Sequence, residues 1–291
     1  MHVRPRIVYK YKSVSTQTDF NRVLDTIKNN HIYLPKPSML NDPMEANALQ
    51  VYLDCMGAGY TLACGRIHPI VEDRQNQYRV LSVSAIPNSP IMWAHYASGY
   101  SGCCLIYSTE KTFSEIKPVI YTDITFDLFD IDFMDDEMSE AIEESLCFKH
   151  KDWAYENEWR LIQNEDAGFL NYEASELVGI IIGENMSLDE RKVLVKLCKD
   201  KNVPCFRTYT MKSWNEIGFA PYDFIESLGG EEYEYITPGE MEQYIQEGLE
   251  NGRCSNNERM IFNALNEKIL RKSVIKQTGF LKCRENENET C

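Results

Sequence analysis

Apolar residues recur along this chain at two spacings, and those spacings mark its elements. The stretch Arg6-Ile7-Val8-Tyr9-Lys10-Tyr11 is rich in β-formers and predicts a first strand. Phe20, Val23, Leu24 and Ile27 then fall at i, i+3, i+4 and i+7, one face of a helix, with Thr18 or Asp19 as its expected cap and Asn29-Asn30 as its end. A short strand at 31–34 is stopped by Pro35 and Pro37. A turn at 39–45 follows, in which Asn41 and Asp42 can bond their own backbone and Pro43 fixes the exit. Residues 79–85 alternate and predict a strand, and a short helix begins after Pro87-Asn88-Ser89-Pro90 and runs over 91–96. Further strands are expected at 103–107 and 118–121, then an acidic helix over 135–148. Residues 177–183 are continuously apolar, the pattern of a buried central strand. An amphipathic helix at 187–201 and a strand at 203–209 follow. From Pro238 onward the pattern is helical and charged, and the alternating Glu and Asn of 285–289 suggest a frayed tail. Together these predict an α+β fold with a mixed sheet. They predict a core domain over 1–225, with an ambiguous stretch at 46–78 read as an insertion, and an acidic helical C-terminal extension over 226–291.

Charge divides the chain. Residues 1–120 carry 12 Lys and Arg against 9 Asp and Glu, whereas 121–291 carry 18 against 36, which gives −15 overall. Ten acids and no base lie between Asp123 and Glu144, and eight acids and no base between Glu226 and Glu250. Such acidity argues against a non-specific nucleic-acid coat but leaves room for a specific nucleotide pocket. No apolar run approaches the roughly 20 residues of a membrane span, and the basic start Met1-His2-Val3-Arg4-Pro5-Arg6 leads into no long apolar segment. The expectation is a cytoplasmic protein with no membrane partner. Ten cysteines form no Cys-x-x-Cys, and several sit in apolar runs, as small core residues of a reducing compartment do. Cys55, Cys64 and His68 lack a fourth ligand nearby, so no metal is expected there.

The densest chemistry lies in Lys149-His150-Lys151-Asp152-Trp153-Ala154-Tyr155-Glu156-Asn157-Glu158-Trp159-Arg160. In a strand, positions i and i+2 share a face, so Glu156 and Glu158 would project into one cleft. Like charges on one face repel unless something cationic uses them, which makes the pair a site candidate. The plain alternative is a solvated strand edge with the tryptophans in the core. Trp93-x-His95-Tyr96 opens two readings as well: a substrate-binding or proton-shuttling His95, or core aromatics with His95 satisfied by a carbonyl. Ser82 and Ser84 place two hydroxyls on one strand face. Asp42 and Glu45 are cap residues first and metal ligands second. Phosphate-binding loops, His-Glu-x-x-His and Gly-x-Ser-x-Gly do not occur.

Several motifs in order carry a resemblance: Tyr9-Lys10-Tyr11; Asn41-Asp42-Pro43-x-Glu45; Met92-Trp93-x-His95-Tyr96 with Gly102; and Lys149-His150-x-x-Trp153-x-Tyr155-Glu156-x-Glu158-Trp159-Arg160. Over roughly residues 7–210 this order resembles the bacterial domain-of-unknown-function family 2971. The succession of polar first strand, helix, aromatic-bearing strand, Ser-x-Ser strand and late Glu-x-Glu also resembles the ADP-ribosyltransferase fold. That second resemblance implies a mostly antiparallel split sheet with NAD in its cleft. It implies Glu158 as the catalytic acid and Glu156 as the acid orienting a target nucleophile. Ser82 or Ser84 would be the supporting hydroxyl, Tyr33 would stack on nicotinamide, and Lys10 or Tyr11 stands where other members carry Arg or His. Trp93, His95 and Tyr96 would join the cofactor side, and Asn41, Asp42, Glu45, His150, Trp153 and Arg160 the substrate or structural motif. A preplaced carboxylate suits a reaction in which positive charge develops on ribose.

Three functions follow as expectations. The first is an NAD-dependent ADP-ribosyltransferase-like enzyme, as in a toxin or defence effector, acting on a nucleic-acid or protein acceptor. The second is a non-catalytic module binding a nucleotide or a partner in the same cleft. The third is a nucleic-acid hydrolase in which His95, His150, Asp42 and the Glu pair converge on a divalent metal.

Overall fold

The computed structural model describes residues 3–42, 73–123, 135–164, 168–211, 216–228 and 237–287. In chain order the elements are β1 (Ile7–Lys12), α1 (Gln17–Asn29), β2 (His31–Tyr33), β3 (Arg79–Ser84), α2 (Pro90–Tyr96), β4 (Cys103–Ser108), β5 (Lys117–Pro118), β6 (Ile120–Thr122), α3 (Asp135–Ser145), β7 (Phe148–His150), β8 (Glu158–Gln163), β9 (Phe169–Asn171), β10 (Leu177–Ile182), α4 (Leu188–Lys201), β11 (Cys205–Met211), β12 (Glu216–Pro221), α5 (Tyr222–Ser227), α6 (Pro238–Glu250) and α7 (Asn256–Glu287). The class is α+β. Glu45 and most of the stretch 46–78 lie outside the described residues.

The chain forms two compact units, each assembled from three stretches: 1–10, 21–86 and 107–176 in one, and 11–20, 87–106 and 177–291 in the other. In the first unit, strands neighbour one another in the order β1-β3-β8-β5, each pairing antiparallel. Two small sheets accompany them, β2 with β9 antiparallel and β6 with β7 parallel. In the second unit the order is β12-β11-β10-β4, with β10 and β11 parallel and β11 and β12 antiparallel. The first order is antiparallel throughout, the second mixes directions, and helices flank them.

Local chemistry explains most boundaries. Phe20, Val23 and Ile27 form the buried stripe of α1, as the spacing predicts. Its cap is Thr16 rather than Thr18 or Asp19: the Thr16 hydroxyl accepts from Asp19 N at 3.1 Å and donates to the Asp19 carboxylate at 2.8 Å. Asn30 then ends the helix at φ 51°, a left-handed conformation Asn tolerates. The Ser187 hydroxyl caps α4 through Glu190 N, and Thr237 with Glu240 forms a reciprocal capping box on α6. The acidic helix α3 ends at Ser145, so Phe148 opens β7 instead of closing the helix. The strand expected at 118–121 is two short ones, interrupted where Val119 N donates to Glu158 O at 3.0 Å.

The core of the second unit is built on β10, whose Ile180, Ile181 and Ile182 are fully buried, with Phe206, Phe219 and Phe262. Helix α7 packs on β10 and β12. There Asn266, also fully buried, accepts from Phe219 N at 3.1 Å and donates to Phe219 O at 2.8 Å, satisfying one residue of β12 from the side.

Candidate functional site

The site is built on the β3–β8 ladder of the first unit. Ser84 lies opposite Glu158 and Ser82 opposite Arg160, so these four side chains share one face. Tyr9 of β1 lies opposite Ser84 and joins that face, while Lys10, its strand neighbour, starts from the other. Lys10 nevertheless reaches round, and its Nζ donates to Ser82 O at 2.8 Å.

Glu156 is not part of β8. It closes a 3₁₀ turn, Lys151–Glu156, after which Asn157 at φ 44° redirects the chain into the strand. The i, i+2 strand argument therefore does not bring the two acids together. Lys149 does. Its Nζ donates to Glu156 Oε2 at 2.6 Å and to Glu158 Oε2 at 3.0 Å. Arg160 grips Glu158 by two prongs, Nε to Oε1 at 2.8 Å and Nη2 to Oε2 at 3.0 Å, and its Nη1 donates to Leu146 O at 2.6 Å. Glu158 thus receives three N–H donors, and both of its oxygens are bonded. Side-chain exposure is 5% for Lys149, 4% for Glu156, 5% for Glu158 and 0% for Arg160. Two cations and two anions leave the cluster neutral, the condition under which buried charge is tolerated.

Electrostatics follow from this arrangement. Burial alone would push the Glu158 carboxyl up, but Arg160, then Lys149 and the Ser82 hydroxyl, hold it well below the usual carboxylate range. The Tyr121 hydroxyl accepts from Glu158 N at 2.8 Å, and burial followed by the nearby Glu158 and Glu156 raises its pKa. The Ser84 hydroxyl donates to Glu156 O at 2.6 Å and accepts from Ile86 N at 3.1 Å, tying the 3₁₀ turn to β3.

Over residues 92–161 the chain matches the family model of a protein of unknown function, DUF2971. The DUF2971 segment holds Trp93, His95, Tyr96 and Gly102 at its start and the whole Lys149–Arg160 cluster at its end. No curated protein and no solved structure matches the chain.

Beside the cluster lies an open groove of about 460 Å³, lined by Asp42, His150, Asp152, Trp153 and Tyr155. Trp153 joins the two: Lys149 Nζ sits 4.9 Å from its ring centroid, and Tyr155 is 6.0 Å away at an interplanar angle of 37°. The Trp153 and Tyr155 rings are half-exposed, Asp42 is buried, and Asp152 is exposed. His150 Nδ1 lies 3.4 Å from the Asp152 carboxylate.

The remaining sequence candidates have the following local surroundings. Tyr33 is 42% exposed and packs on Phe169 and Met39. Chain beyond β2 reaches β3 at its first residues, where Val80 N donates to Pro35 O, the end of the ladder away from Ser84 and Glu158. Trp93 and Tyr11 belong to the second unit. Trp93 is fully buried, bonds Pro87 O at 2.7 Å, stacks on Tyr100 at 5.7 Å and meets Tyr11 edge-on at 5.4 Å, all core contacts. His95 is exposed beside a half-buried Tyr96, and Asn41 is exposed. Among the described residues no three His, Cys, Asp or Glu side chains are grouped to hold a metal, and no helix is long and apolar enough to cross a membrane.

Sequence reasoning missed Lys149 and Tyr121. Lys149 had a signal, standing at the head of the aromatic stretch that runs into Glu156-x-Glu158. Tyr121 had none, since only the tertiary fold brings it to Glu158.

Proposed function

We propose that the protein is a ligand-binding module that takes the flat ring of a nucleotide, a base or a nicotinamide, in the groove between Trp153, Tyr155 and His150. The observation that carries this reading is the division of labour around Trp153. On one side both oxygens of the Glu158 carboxylate are bonded by internal donors; on the other an aromatic-walled groove is open. Its volume lies within the range usual for small-molecule sites. Trp and Tyr faces offer stacking worth roughly 1–3 kcal/mol per ring. Asp152, exposed at the groove, can accept from the exocyclic amine of a base.

A second reading, ADP-ribosyl transfer from NAD, is favoured by one specific arrangement. The three strands bearing Lys10, Ser82 and Glu158 are neighbours, and Lys10 Nζ donates to Ser82 O, a proximity that supports this reading. In that reading Arg160 or Lys149 must release a Glu158 oxygen for the ribose.

Calorimetric titration of NAD, adenosine and nicotinamide mononucleotide separates these, run on the parent protein and on Trp153→Ala, with nicotinamide release followed in parallel. Saturable binding that Trp153→Ala weakens at least about 10-fold, without release, supports the module. Release that disappears in a folded Glu158→Gln protein supports the transferase. Absence of binding by all three compounds overturns both.

A further inference from the structure

A second cavity, of about 630 Å³, lies in the other unit, between the C-terminal end of α4, helices α5 and α6, and the turn leading into α7. Its walls include the rings of Tyr222 and Tyr244, and its charges are Lys199 and Arg253 against Asp223 and Glu258. The two pairs are not equivalent. Lys199 Nζ and Asp223 Oδ1 already meet at 3.0 Å. Arg253 lies flat over Tyr244, 4.0 Å from the ring centroid, with one N–H donated to Tyr244 O at 3.3 Å. Among the described residues it makes no ion pair with a carboxylate; it meets the Cys254 thiol, and its five N–H groups leave donors for a ligand. Glu258 takes the backbone N–H of Ser255 and the Cys254 thiol, and Arg253 acts on it from nearby without an ion pair.

The cavity therefore presents a guanidinium and a half-buried carboxyl, both bordering Cys254, beside the two tyrosine rings. A plain anion would meet Asp223 and Glu258, and a plain cation would meet Lys199 and Arg253. A molecule bearing both charges on one carbon matches the neighbouring Arg253 and Glu258. We propose that this cavity binds a free α-amino acid, its carboxylate forked on Arg253, its ammonium on Glu258, and its side chain against Tyr222 and Tyr244. Nothing in the nucleotide reading of the first unit bears on this site.

Glu258 supplies an independent readout. Burial first, and then the neighbouring Asp223, push its pKa up, against the lowering effects of the Ser255 N–H, Cys254 and Arg253. A ligand ammonium placed beside it pulls the pKa back down, because it favours the carboxylate.

The test is calorimetry of the full chain against each of the twenty common L-amino acids. For the tightest binder, the amine lacking its carboxylate and the acid lacking its amine are titrated too. The expected result is saturable 1:1 binding, with each one-charge analogue weaker by about 10-fold or more. Arg253→Gln is an exposed change, and it should weaken the amino acid and the acid analogue while leaving the amine unchanged. Affinity for the amino acid and for the amine should fall as pH drops through the Glu258 titration, and Glu258→Gln should remove that dependence. No saturable binding by any amino acid, or analogues binding as well as the zwitterion, overturns the proposal.

Discussion

Replacing Lys149 by Met removes a cation that both acids share, and its consequence can be worked from the geometry. Lys149 Nζ stands 2.6 Å from Glu156 and 3.0 Å from Glu158, with all three side chains at most 5% exposed. Methionine keeps the length of the stem but leaves Arg160 to balance two buried carboxylates, a net charge of −1 in a site shielded from water. Breaking a buried ion pair from one side destabilises by about 3–5 kcal/mol. Glu156→Gln errs in the other direction, leaving +1, and should cost a comparable amount. The double variant Lys149→Met/Glu156→Gln restores neutrality around the intact Arg160–Glu158 fork. It should be more stable than the sum of the two single effects allows by at least about 2 kcal/mol, the scale of coupling between residues in one network. Urea unfolding followed by tryptophan fluorescence gives all four values, since Trp153 sits against Lys149. Single variants costing under about 0.5 kcal/mol, or effects that simply add, would refute the buried-cluster reasoning.

Three more outcomes are expected. Because Glu158 is held below its ordinary value of 4.5 in the folded state, its contribution is complete above that value and is lost as pH falls below it; acid unfolding of Glu158→Gln should therefore be less steep over that range. Gly102→Ala should destabilise by about 1–3 kcal/mol, read as a lowered Tm, because the new methyl group would run into Lys12 O and lie 3.0 Å from the Ala97 Cα, backbone that cannot turn aside. Asn266→Ala should cost about 2–5 kcal/mol in urea unfolding, since it strands both backbone groups of Phe219 inside the second unit.

Much of the fold was legible where a pattern was long or continuous. The apolar run of β10, the alternation of β3 and the Ser187-capped α4 all stand where the sequence places them. Short strands were harder to see. β9 has three residues, and β12 carries a Gly and ends in Pro; both owe their place to a partner strand rather than to their own composition. The candidate site was legible as a cluster of unusual residues but not as a geometry. Period-2 reasoning needs an unbroken strand through Glu156 and Glu158, and the left-handed Asn157 breaks it. What joins the two acids is Lys149, in a different strand, and a pairing set by tertiary packing leaves no spacing to read. For Trp93 the sequence offered a core reading beside a functional one, and its indole is buried against Tyr100 and Tyr11, partners that no spacing identifies.

The central claim is that Glu158 serves an internal cluster while ligand meets the groove on the far side of Trp153. Carboxyl-carbon NMR of the glutamate-labelled protein, recorded with and without saturating NAD, tests it most directly. The account predicts a Glu158 resonance that stays ionised well below the ordinary carboxylate range and does not move when NAD binds, while the Trp153 indole signal does. A Glu158 resonance that shifts with NAD, or that titrates like an exposed glutamate, would contradict it.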